Sequence, residues 1–242
     1  MIATKSLLPV SSLAALGLFV WPLWSGLGQF SSATNAVLVA LAAAALLAIT
    51  FFLLDGELLG PKQLVLLGSM AALGAAIRIG TGGTAGLELV FVAVILGGAV
   101  FGPRFGFLLG AITILSSSIF FGGFGPWTAF QVFATGWVGA GASLVAKFAK
   151  SRLTFWLALY GAGASYLFGL IMNLWFWPSA IGVGSSIAYS AEATFIENLT
   201  SFLSFTLVSS TLTWDTVRAV GVATVILVFG TALIRTLRRA KV

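Results

Sequence analysis

The amino-acid sequence predicts an all-α, polytopic membrane protein, because of its composition and its long apolar runs. Of the 242 residues, 60% are hydrophobic and only 7% are charged, and the mean hydropathy is +1.11. A soluble domain carries about 25% charged residues, so this chain has too few charges to cover a surface that faces water. No strand-like alternation accompanies the runs, and backbone polar groups in lipid must be paired within their own segment. The spans are therefore predicted to be helices.

Eight segments have the apolarity of a membrane-crossing helix, which needs about 20 residues to cross a hydrocarbon core of ~30 Å. The predicted spans are 7–24, 36–54, 63–79, 87–102, 105–121, 128–147, 153–176 and 215–235. A further segment, 193–212, carries Glu197, Asn198 and many Ser and Thr residues. These polar residues favour an interfacial or re-entrant helix over a ninth span.

Positive charges indicate the orientation, because Lys and Arg are concentrated in cytoplasmic loops. With a cytoplasmic N-terminus and alternating spans, only Arg78 and Arg218 of the 12 basic residues fall away from the inner face. The others are Lys5, Lys62, Arg104, Lys147, Lys150, Arg152, Arg235, Arg238, Arg239 and Lys241. We therefore expect a multi-pass protein of the cell (plasma) membrane with both termini cytoplasmic. Its first segment, an apolar run after a basic residue, could be a signal anchor.

Missing residue types exclude several kinds of function. The sequence has no Cys and no His, so disulfides, thiolate metal sites, haem and histidine-based catalysis are ruled out, and no metal or cofactor is predicted. The chain is not expected to be an enzyme. It has no G-x-x-x-x-G-K-[ST] motif, so ATP-driven work would require a partner protein. The net charge of +6 is spread over the ends of apolar segments, which favours contact with the lipid bilayer rather than with nucleic acid.

The predicted outer loops are rich in Gly, Trp or both, whereas the inner loops are short and basic. Besides the connection at 25–35, the outer loops are 80–86, 122–127 and 177–214. Arg78 ends one span and Glu88 opens the next, across the glycine-rich loop. The two side chains can pair with each other, or Arg78 can reach a carboxylate, phosphate or amide of a ligand beneath a mobile glycine cap.

A turn with the sequence Gly122-Gly123-Phe124-Gly125-Pro126 interrupts a stretch from Phe105 to Ala146 that has no charged residue. Its glycines permit a tight backbone, and a proline suits the first turn of a helix. Thr128 and Gln131 follow on one helix face, beside Trp127. A lone tryptophan here would suit the membrane-interface belt. With two hydrogen-bonding groups beside it, the cluster favours ligand binding.

The seventh span ends at the same predicted level with Asn173, Trp175 and Trp177. An Asn inside the membrane needs a hydrogen-bonding partner, on another helix or on a ligand. The two indoles suit either the interface belt or a ligand pocket. All three residues are candidate ligand contacts.

The last predicted span opens with Trp214, Asp215 and Arg218. Asp215 can cap this helix and pair with Arg218 at i, i+3. An arginine below the membrane interface is expensive enough to favour a functional role as well. These three residues complete the predicted ligand site.

A stripe of small residues on the third span forms a second candidate surface. Small residues spaced four apart let another helix approach closely. The predicted partner-helix residues are Gly68, Ala71, Ala72, Ala75 and Ala76. They can serve packing inside the chain as well as docking of a partner.

A succession of motifs carries a family resemblance. It comprises Ala71-x-x-x-Ala75, Arg78-Ile79, Phe101-Gly102-Pro103-Arg104-Phe105-Gly106-Phe107, Gly125-Pro126-Trp127-Thr128-x-Phe130-Gln131 and Trp137-Val138-Gly139. This succession resembles the substrate-binding (S) components of energy-coupling factor (ECF) vitamin transporters, over about 63–240 and more weakly after 150. It is most similar to the branch with a G-P-W-x-P-[FWY]-Q-M turn, known from actinobacterial and cobalamin-type S components. Ala129 stands where that branch usually has Pro, and Val132 where it has Met.

The resemblance implies a six-helix S-component core at 61–242, with an outer interfacial segment at about 178–213. Two extra N-terminal transmembrane helices, at 1–60, precede that core. The outer loops would bind a vitamin, cobalamin or a related corrinoid first. A separate transmembrane coupling protein and two ATPase subunits would drive release inward, and the stripe around Ala71 and Ala75 would meet the coupling protein.

Other interpretations remain open. The ligand of an S component could instead be riboflavin, thiamine or a queuosine precursor. A solitary secondary transporter would need ion-coupling carboxylates in the middle of helices, whereas Glu88 and Asp215 are predicted near helix ends. An intramembrane enzyme would need a Ser/His, Asp-rich or metal-binding cluster, which six dispersed acids and no His do not supply.

Overall fold

The computed structural model of the protein describes residues 2–24, 32–55, 60–82, 86–149, 151–181 and 185–241. Every regular element in these ranges is helical, which confirms the predicted all-α class. The elements are α1 (Ile2–Phe19), α2 (Trp21–Trp24), α3 (Ser32–Asp55), α4 (Pro61–Thr81), α5 (Val90–Phe101), α6 (Pro103–Ser118), α7 (Trp127–Phe148), α8 (Leu153–Ala180), α9 (Phe195–Thr206), a π-helical segment (Leu207–Asp215) and α10 (Thr216–Lys241). Parts of the predicted loops at 25–35, 80–86 and 177–214, and Lys150, lie outside the described residues.

Four helical stretches in these ranges are long and apolar enough to cross a membrane. They are Pro61–Thr81, Trp127–Phe148, Leu153–Ala180 and Phe195–Ala240, and shorter apolar stretches occupy Leu8–Phe19, Val37–Ala48 and Val90–Phe101. Their length and composition are those of a membrane protein. The predicted number of spans, the six-helix core with its N-terminal pair and the cytoplasmic termini are finer statements, and they stay predictions.

The C-terminal part of the chain forms one continuous helical run, where the sequence predicted a separate last span from residue 215. Phe195–Ala240 is 46 residues long, because α9 passes through the π-helical segment into α10 without a break. The run contains no Pro, and its hydroxyl side chains donate to carbonyl oxygens of the same helix, as Thr200 does to Ile196 at 2.9 Å. The predicted helix start at Asp215 is therefore wrong, and so is the capping role expected of that residue.

The true start of this run is a capping box at Thr194. The Thr194 backbone N–H donates to Glu197 Oε2 at 2.7 Å, and the Thr194 hydroxyl accepts from the Glu197 backbone N–H at 3.4 Å.

The chain forms two compact units, and the first combines residues 1–58 with 169–212. In it α1 packs against α3, and α2 packs against α9. Its core contains Leu174, Trp177, Phe202 and Phe205. Because Trp21 is buried and donates its indole N–H to the Trp175 carbonyl at 3.0 Å, the N-terminal helices share this unit with the end of α8.

The second unit combines residues 59–168 with 213–242, and its centre is the close packing of α5, α6 and α7. Gly98, Gly106 and Gly139 bring these helices together at their backbones. A Cβ atom added at Gly98 would overlap the Gly139 carbonyl oxygen, and one added at Gly139 would overlap the Gly106 carbonyl oxygen. Glycine therefore sets the helix separation here, as small residues do in membrane proteins generally.

Leucine at Gly139 is expected to lower the Tm of the purified protein by several degrees or to prevent folding. The added side chain must push α6 and α7 apart, and overpacking costs about 1–3 kcal/mol or more. Gly68→Leu is the matched control, because nothing lies within 4 Å of a Cβ atom at Gly68. A thermal melt in detergent measures both variants, and equal Tm values would contradict this account of the packing.

Candidate ligand-binding site

Arg78 is the centre of the candidate site. It lies in the last turn of α4, is only 5% exposed, and donates three hydrogen bonds. Nη1 donates to the Ser117 hydroxyl at 2.9 Å and to the Phe121 carbonyl at 3.3 Å, and Nη2 donates to Gln131 Oε1 at 3.3 Å. All three acceptors are neutral, and no carboxylate of the described chain lies within ion-pair distance of the guanidinium. Arg78 is therefore a buried cation that lacks a direct counter-charge among the described residues.

The turn between α6 and α7 closes around this guanidinium. The Arg78 Cζ atom lies 5.3 Å from the centre of the Phe121 ring, a cation–π geometry. Gly122 and Gly123 follow with φ of 82° and 64°, a left-handed backbone that favours glycine. A Cβ atom at Gly122 would lie 3.8 Å from Arg78 Nη2. The turn predicted from its glycines thus lies beside Arg78.

Thr128 and Trp127 shape the start of α7. The Gly125 backbone N–H donates to the Thr128 hydroxyl at 2.9 Å, and the Thr128 N–H returns a bond to the Gly125 carbonyl at 2.9 Å. The Trp127 ring packs over Gly125, where a Cβ atom would overlap the ring, and its side chain is 39% exposed. Thr128 therefore stabilises the turn, whereas Trp127 is accessible to a ligand.

Two hydrogen-bond donors remain available on this face of α7. The indole N–H of Trp127 and the amide NH₂ of Gln131 have no acceptor within the described residues, while Gln131 Oε1 faces the guanidinium. Residues four apart lie on the same helix face. A ligand that stacks on Trp127 can therefore also accept a hydrogen bond from Gln131.

Arg218 forms a second buried cluster in the same unit. Its Nε donates to Glu88 Oε2 at 2.6 Å, and its Nη1 donates to Asp215 Oδ1 at 2.8 Å and to the Ser165 carbonyl at 3.2 Å. Arg218 is 7% exposed and Asp215 is 1% exposed. The i, i+3 pair of Asp215 and Arg218, predicted from the sequence, is confirmed.

Aromatic rings complete the surroundings of Arg218. Its Cζ atom lies 5.0 Å from the Phe168 ring centre and 5.7 Å from the Phe91 ring centre. The two rings meet edge to face, with centroids 5.1 Å apart. The guanidinium is thus held on its apolar sides as well as by its two carboxylates.

The possible Arg78–Glu88 pair predicted from the sequence does not form. Glu88 bonds to Arg218 instead and attracts Arg78 only as a nearby charge. Arg78, Glu88, Arg218 and Asp215 together carry two positive and two negative charges. The four charges sum to zero. Arg218 makes both of the direct ion pairs, whereas the hydrogen-bond partners of Arg78 are neutral.

Trp214 lies where the loop that carries Glu88 reaches the π-helical segment. Gly86 has φ of 91°, and a Cβ atom there would lie 2.7 Å from Trp214 Cα. The Glu88 backbone N–H donates to the Gly86 carbonyl at 2.8 Å, which shapes the end of the loop. The Trp214 side chain is 46% exposed. The close contact at Gly86 positions Glu88 for Arg218.

The three predicted site residues at the end of α8 belong to the other unit and have partners there. Asn173 donates to the Thr206 hydroxyl at 2.5 Å and to the Ser210 hydroxyl at 2.7 Å. Trp177 is completely buried and donates to the Ile187 carbonyl at 2.8 Å. Trp175 is 4% exposed. Each of them contributes to internal packing, and a ligand role for any of them stays a prediction.

The small-residue stripe of α4 is divided between two faces. Ala71 and Ala75 are buried inside the chain, 2% and 8% exposed, as is Gly74, whose Cα faces the Thr113 side chain. Gly68, Ala72 and Ala76 are exposed on the adjacent face. Of the residues predicted to meet a partner helix, these last three are accessible in this conformation.

Several polar and aromatic groups of the site were missed by sequence reasoning. They are Ser117, Phe121, Ser165, Phe91 and Phe168, which contact Arg78 or Arg218. Ser118, next to Ser117, is 1% exposed, and its hydroxyl has no hydrogen-bond partner among the described residues. A run of three serines, Ser116 to Ser118, at the end of an uncharged apolar segment was the available signal.

Valine at Thr128 is expected to destabilise the turn by about 1 kcal/mol, the usual net contribution of one hydrogen bond. The Gly125 N–H would lose its acceptor, while the side chain would keep its shape. Thermal unfolding of Thr128→Val against Thr200→Val, whose hydroxyl bonds within its own helix, measures the difference. Equal unfolding temperatures would show that this hydrogen bond does not shape the turn.

Comparison of the chain with protein-family models, with curated proteins and with solved structures gave no match in any of the three.

Proposed function

We propose that the protein is the substrate-capture subunit of an ATP-driven, ECF-type vitamin importer and that it binds the vitamin on the extracellular face. The observation that carries the proposal is the environment of Arg78, a buried guanidinium with neutral partners beside the turn that resembles the family. Burying a charge without a counter-ion is expensive. A ligand that accepts from Arg78 would offset part of that penalty.

Cobalamin or a related corrinoid is the first ligand proposed, because the G-P-W turn resembles the cobalamin-type branch. The amide groups of a corrinoid can accept from Arg78 and Gln131, and its apolar faces can stack on Trp127. No His or Cys is present to ligate cobalt, so recognition would rest on the periphery of the ligand. Riboflavin, thiamine and a queuosine precursor are the alternative ligands.

The coupling protein is proposed to dock on the exposed face of α4. Gly68, Ala72 and Ala76 are spaced four residues apart and accessible, so a partner helix could approach the α4 backbone closely. The two ATPase subunits would supply the energy, since this chain has no phosphate-binding motif. Ala71 and Ala75, which the resemblance implied for this surface, are buried and would act by positioning α4.

Tryptophan at Ala72 or Ala76 is expected to abolish co-purification with the coupling protein and to leave vitamin binding unchanged. The bulky ring would hold a partner helix several ångströms from α4. Ala232→Trp is the matched control, because Ala232 is an exposed alanine on a different helix, α10. Pull-down through a tag on the coupling protein gives the result, and normal association of both α4 variants would refute this docking surface.

A solitary secondary transporter is the second candidate, and one observation favours it. Asp215 lies within a continuous helical run, and not at a helix start as the sequence suggested, and it is buried against Arg218. Irregular π-helical turns such as Leu207–Asp215 are frequent at functional sites. A carboxylate in this position could exchange a proton or cation for substrate.

Uptake of labelled cyanocobalamin, riboflavin and thiamine by cells that express the chain with and without the ATPase subunits separates the two candidates. We expect accumulation of one vitamin that requires the ATPase subunits and that persists when a protonophore collapses the proton gradient. Accumulation without the ATPase subunits and abolished by the protonophore would favour the secondary transporter. Absence of uptake of all three in the complete system would count against the proposed ligands.

A further inference from the structure

Four arginines converge on one concave site at the end of the second unit. A cavity of about 620 Å³ lies between the α7–α8 connection and the last turns of α10. Its basic lining residues are Arg152, Arg235, Arg238 and Arg239, and Thr154 and Thr231 add hydroxyl groups. Cytoplasmic anchoring explains basic residues near a membrane face, but it does not require that they surround a shared cavity.

These arginines have no counter-charge within the described chain. Among the described residues, none of the four side chains has a carboxylate within ion-pair distance or a hydrogen-bond partner, and no acidic residue lines the cavity. The first residues of α8, Leu153 and Thr154, also line it. The N-terminus of a helix presents free backbone N–H groups and a partial positive charge. The cavity is therefore strongly positive on several sides.

Arg152 adopts a backbone conformation that an arginine rarely takes. Its φ is 53°, in the left-handed region, where non-glycine residues carry a strain of about 1 kcal/mol or more. Glycine adopts this backbone conformation with less strain. The presence of an arginine at this position is consistent with a use for its side chain in the cavity.

An apolar cavity of about 540 Å³ adjoins the basic one and shares Ala149 and Ser151 with it. Its other walls include Leu144, Phe148 and Trp156, whose side chains are 57%, 75% and 46% exposed. The combination is a positive cavity that continues into an exposed apolar surface of membrane helices. A free inorganic anion would contact only the basic cavity, whereas a phospholipid would contact both the basic cavity and the apolar one.

We propose that this end of the protein binds an anionic phospholipid, with the phosphate-containing headgroup among the four arginines and an acyl chain along Phe148 and Trp156. Basic pockets between membrane helices on the cytoplasmic side are suited to such headgroups. The site is independent of the proposed vitamin site and does not rest on that function. Its occupant would link α7, α8 and α10 at the predicted inner face.

Native mass spectrometry of the purified protein, titrated with phosphatidylglycerol or phosphatidylcholine of the same acyl chains, tests the proposal. We expect the wild-type protein to prefer phosphatidylglycerol at least tenfold. The triple variant Arg235→Gln, Arg238→Gln, Arg239→Gln should lose most of that preference, since each basic residue near a membrane surface contributes about fivefold, or ~1 kcal/mol. Lys62→Gln, which removes a basic residue outside the cavity, should retain it.

Arg152→Gly separates binding from folding. It removes one charge from the cavity and relieves the left-handed strain, so the preference should fall about fivefold while the Tm stays equal or rises. Trp156→Ala should weaken phosphatidylglycerol binding and leave binding of inorganic phosphate unchanged. Equal affinity of the wild-type protein for both lipids, or an unchanged preference in the triple variant, would overturn the proposal. Full displacement of the lipid by inorganic phosphate would assign the site to a free anion instead.

Discussion

Methionine at Arg78 is expected to lower the affinity for the vitamin by tenfold to a hundredfold. Hydrogen bonds from a charged donor contribute about 1.5–3 kcal/mol each, and this guanidinium is the buried cation beside the turn of α7. Arg78→Lys should recover little, because a single ammonium cannot reach Ser117, the Phe121 carbonyl and Gln131 together. Isothermal titration calorimetry with cyanocobalamin, riboflavin and thiamine measures the affinities.

Two controls make this result specific. Arg104→Gln removes an arginine from the predicted inner face and should leave affinity unchanged. The Tm of Arg78→Met should stay close to the wild-type value, because relief of the buried charge offsets the loss of its three hydrogen bonds, and the Ser117 hydroxyl keeps its bond to the Thr113 carbonyl at 2.6 Å. If Arg78→Met binds the vitamin with wild-type affinity, Arg78 does not contribute to the binding site.

Methionine at Arg218 is expected to destabilise the protein by about 3–5 kcal/mol, the usual effect of removing one partner of a buried ion pair. Asp215, which is 1% exposed, and Glu88 would lose the cation that both contact. Their mutual repulsion and poor solvation would then oppose folding. Thermal unfolding in detergent should show a fall in Tm that is among the largest for any single substitution.

A neutral version of the same cluster provides the control. The triple variant Glu88→Gln, Asp215→Asn, Arg218→Met removes the cation and both carboxylates, so most of the lost stability should return. Arg238→Met, an exposed arginine on the same helix, should have little effect on Tm. A triple variant that is as unstable as Arg218→Met would mean that packing of the guanidinium on Phe91 and Phe168, and not its charge, stabilises this region.

The helical fold could be predicted from the sequence because apolar runs bounded by Gly and Pro define most of its elements. The predicted segment 63–79 is the helix Pro61–Thr81, and 128–147 is Trp127–Phe148. Prediction failed at the end of the segment 193–212, which was expected to be a separate interfacial or re-entrant helix and instead continues into the last helix. Ser and Thr side chains of this segment bond to their own helix, so their polarity does not end it.

The local parts of the candidate site could also be predicted, but its long-range contacts could not. Asp215 and Arg218 are three residues apart, and their pairing follows from helix geometry. Arg78 and Gln131 are 53 residues apart, and a single sequence does not show which helices pack together. The ion-pair partner of Glu88 could not be predicted for the same reason, since Arg218 is 130 residues away in the sequence.

The division of the α4 stripe shows a further limit. Small residues occur at 68, 71, 72, 75 and 76, and their spacing fits two helix faces equally well. Packing decides between the faces: Ala71 and Ala75 face inward, and Ala72 and Ala76 face outward. A pattern of small residues therefore predicts close helix approach without telling an internal neighbour from a separate protein.

Mass spectrometry of small molecules released from the purified protein tests the proposed vitamin capture most directly. The protein would be extracted in mild detergent, washed and denatured, and the Arg78→Met variant would be treated in parallel. We expect a near-stoichiometric vitamin, first a corrinoid, from the wild-type protein and little or none from the variant. A wild-type protein that releases no vitamin, and that binds neither cyanocobalamin, riboflavin nor thiamine at micromolar concentration, would contradict the proposal.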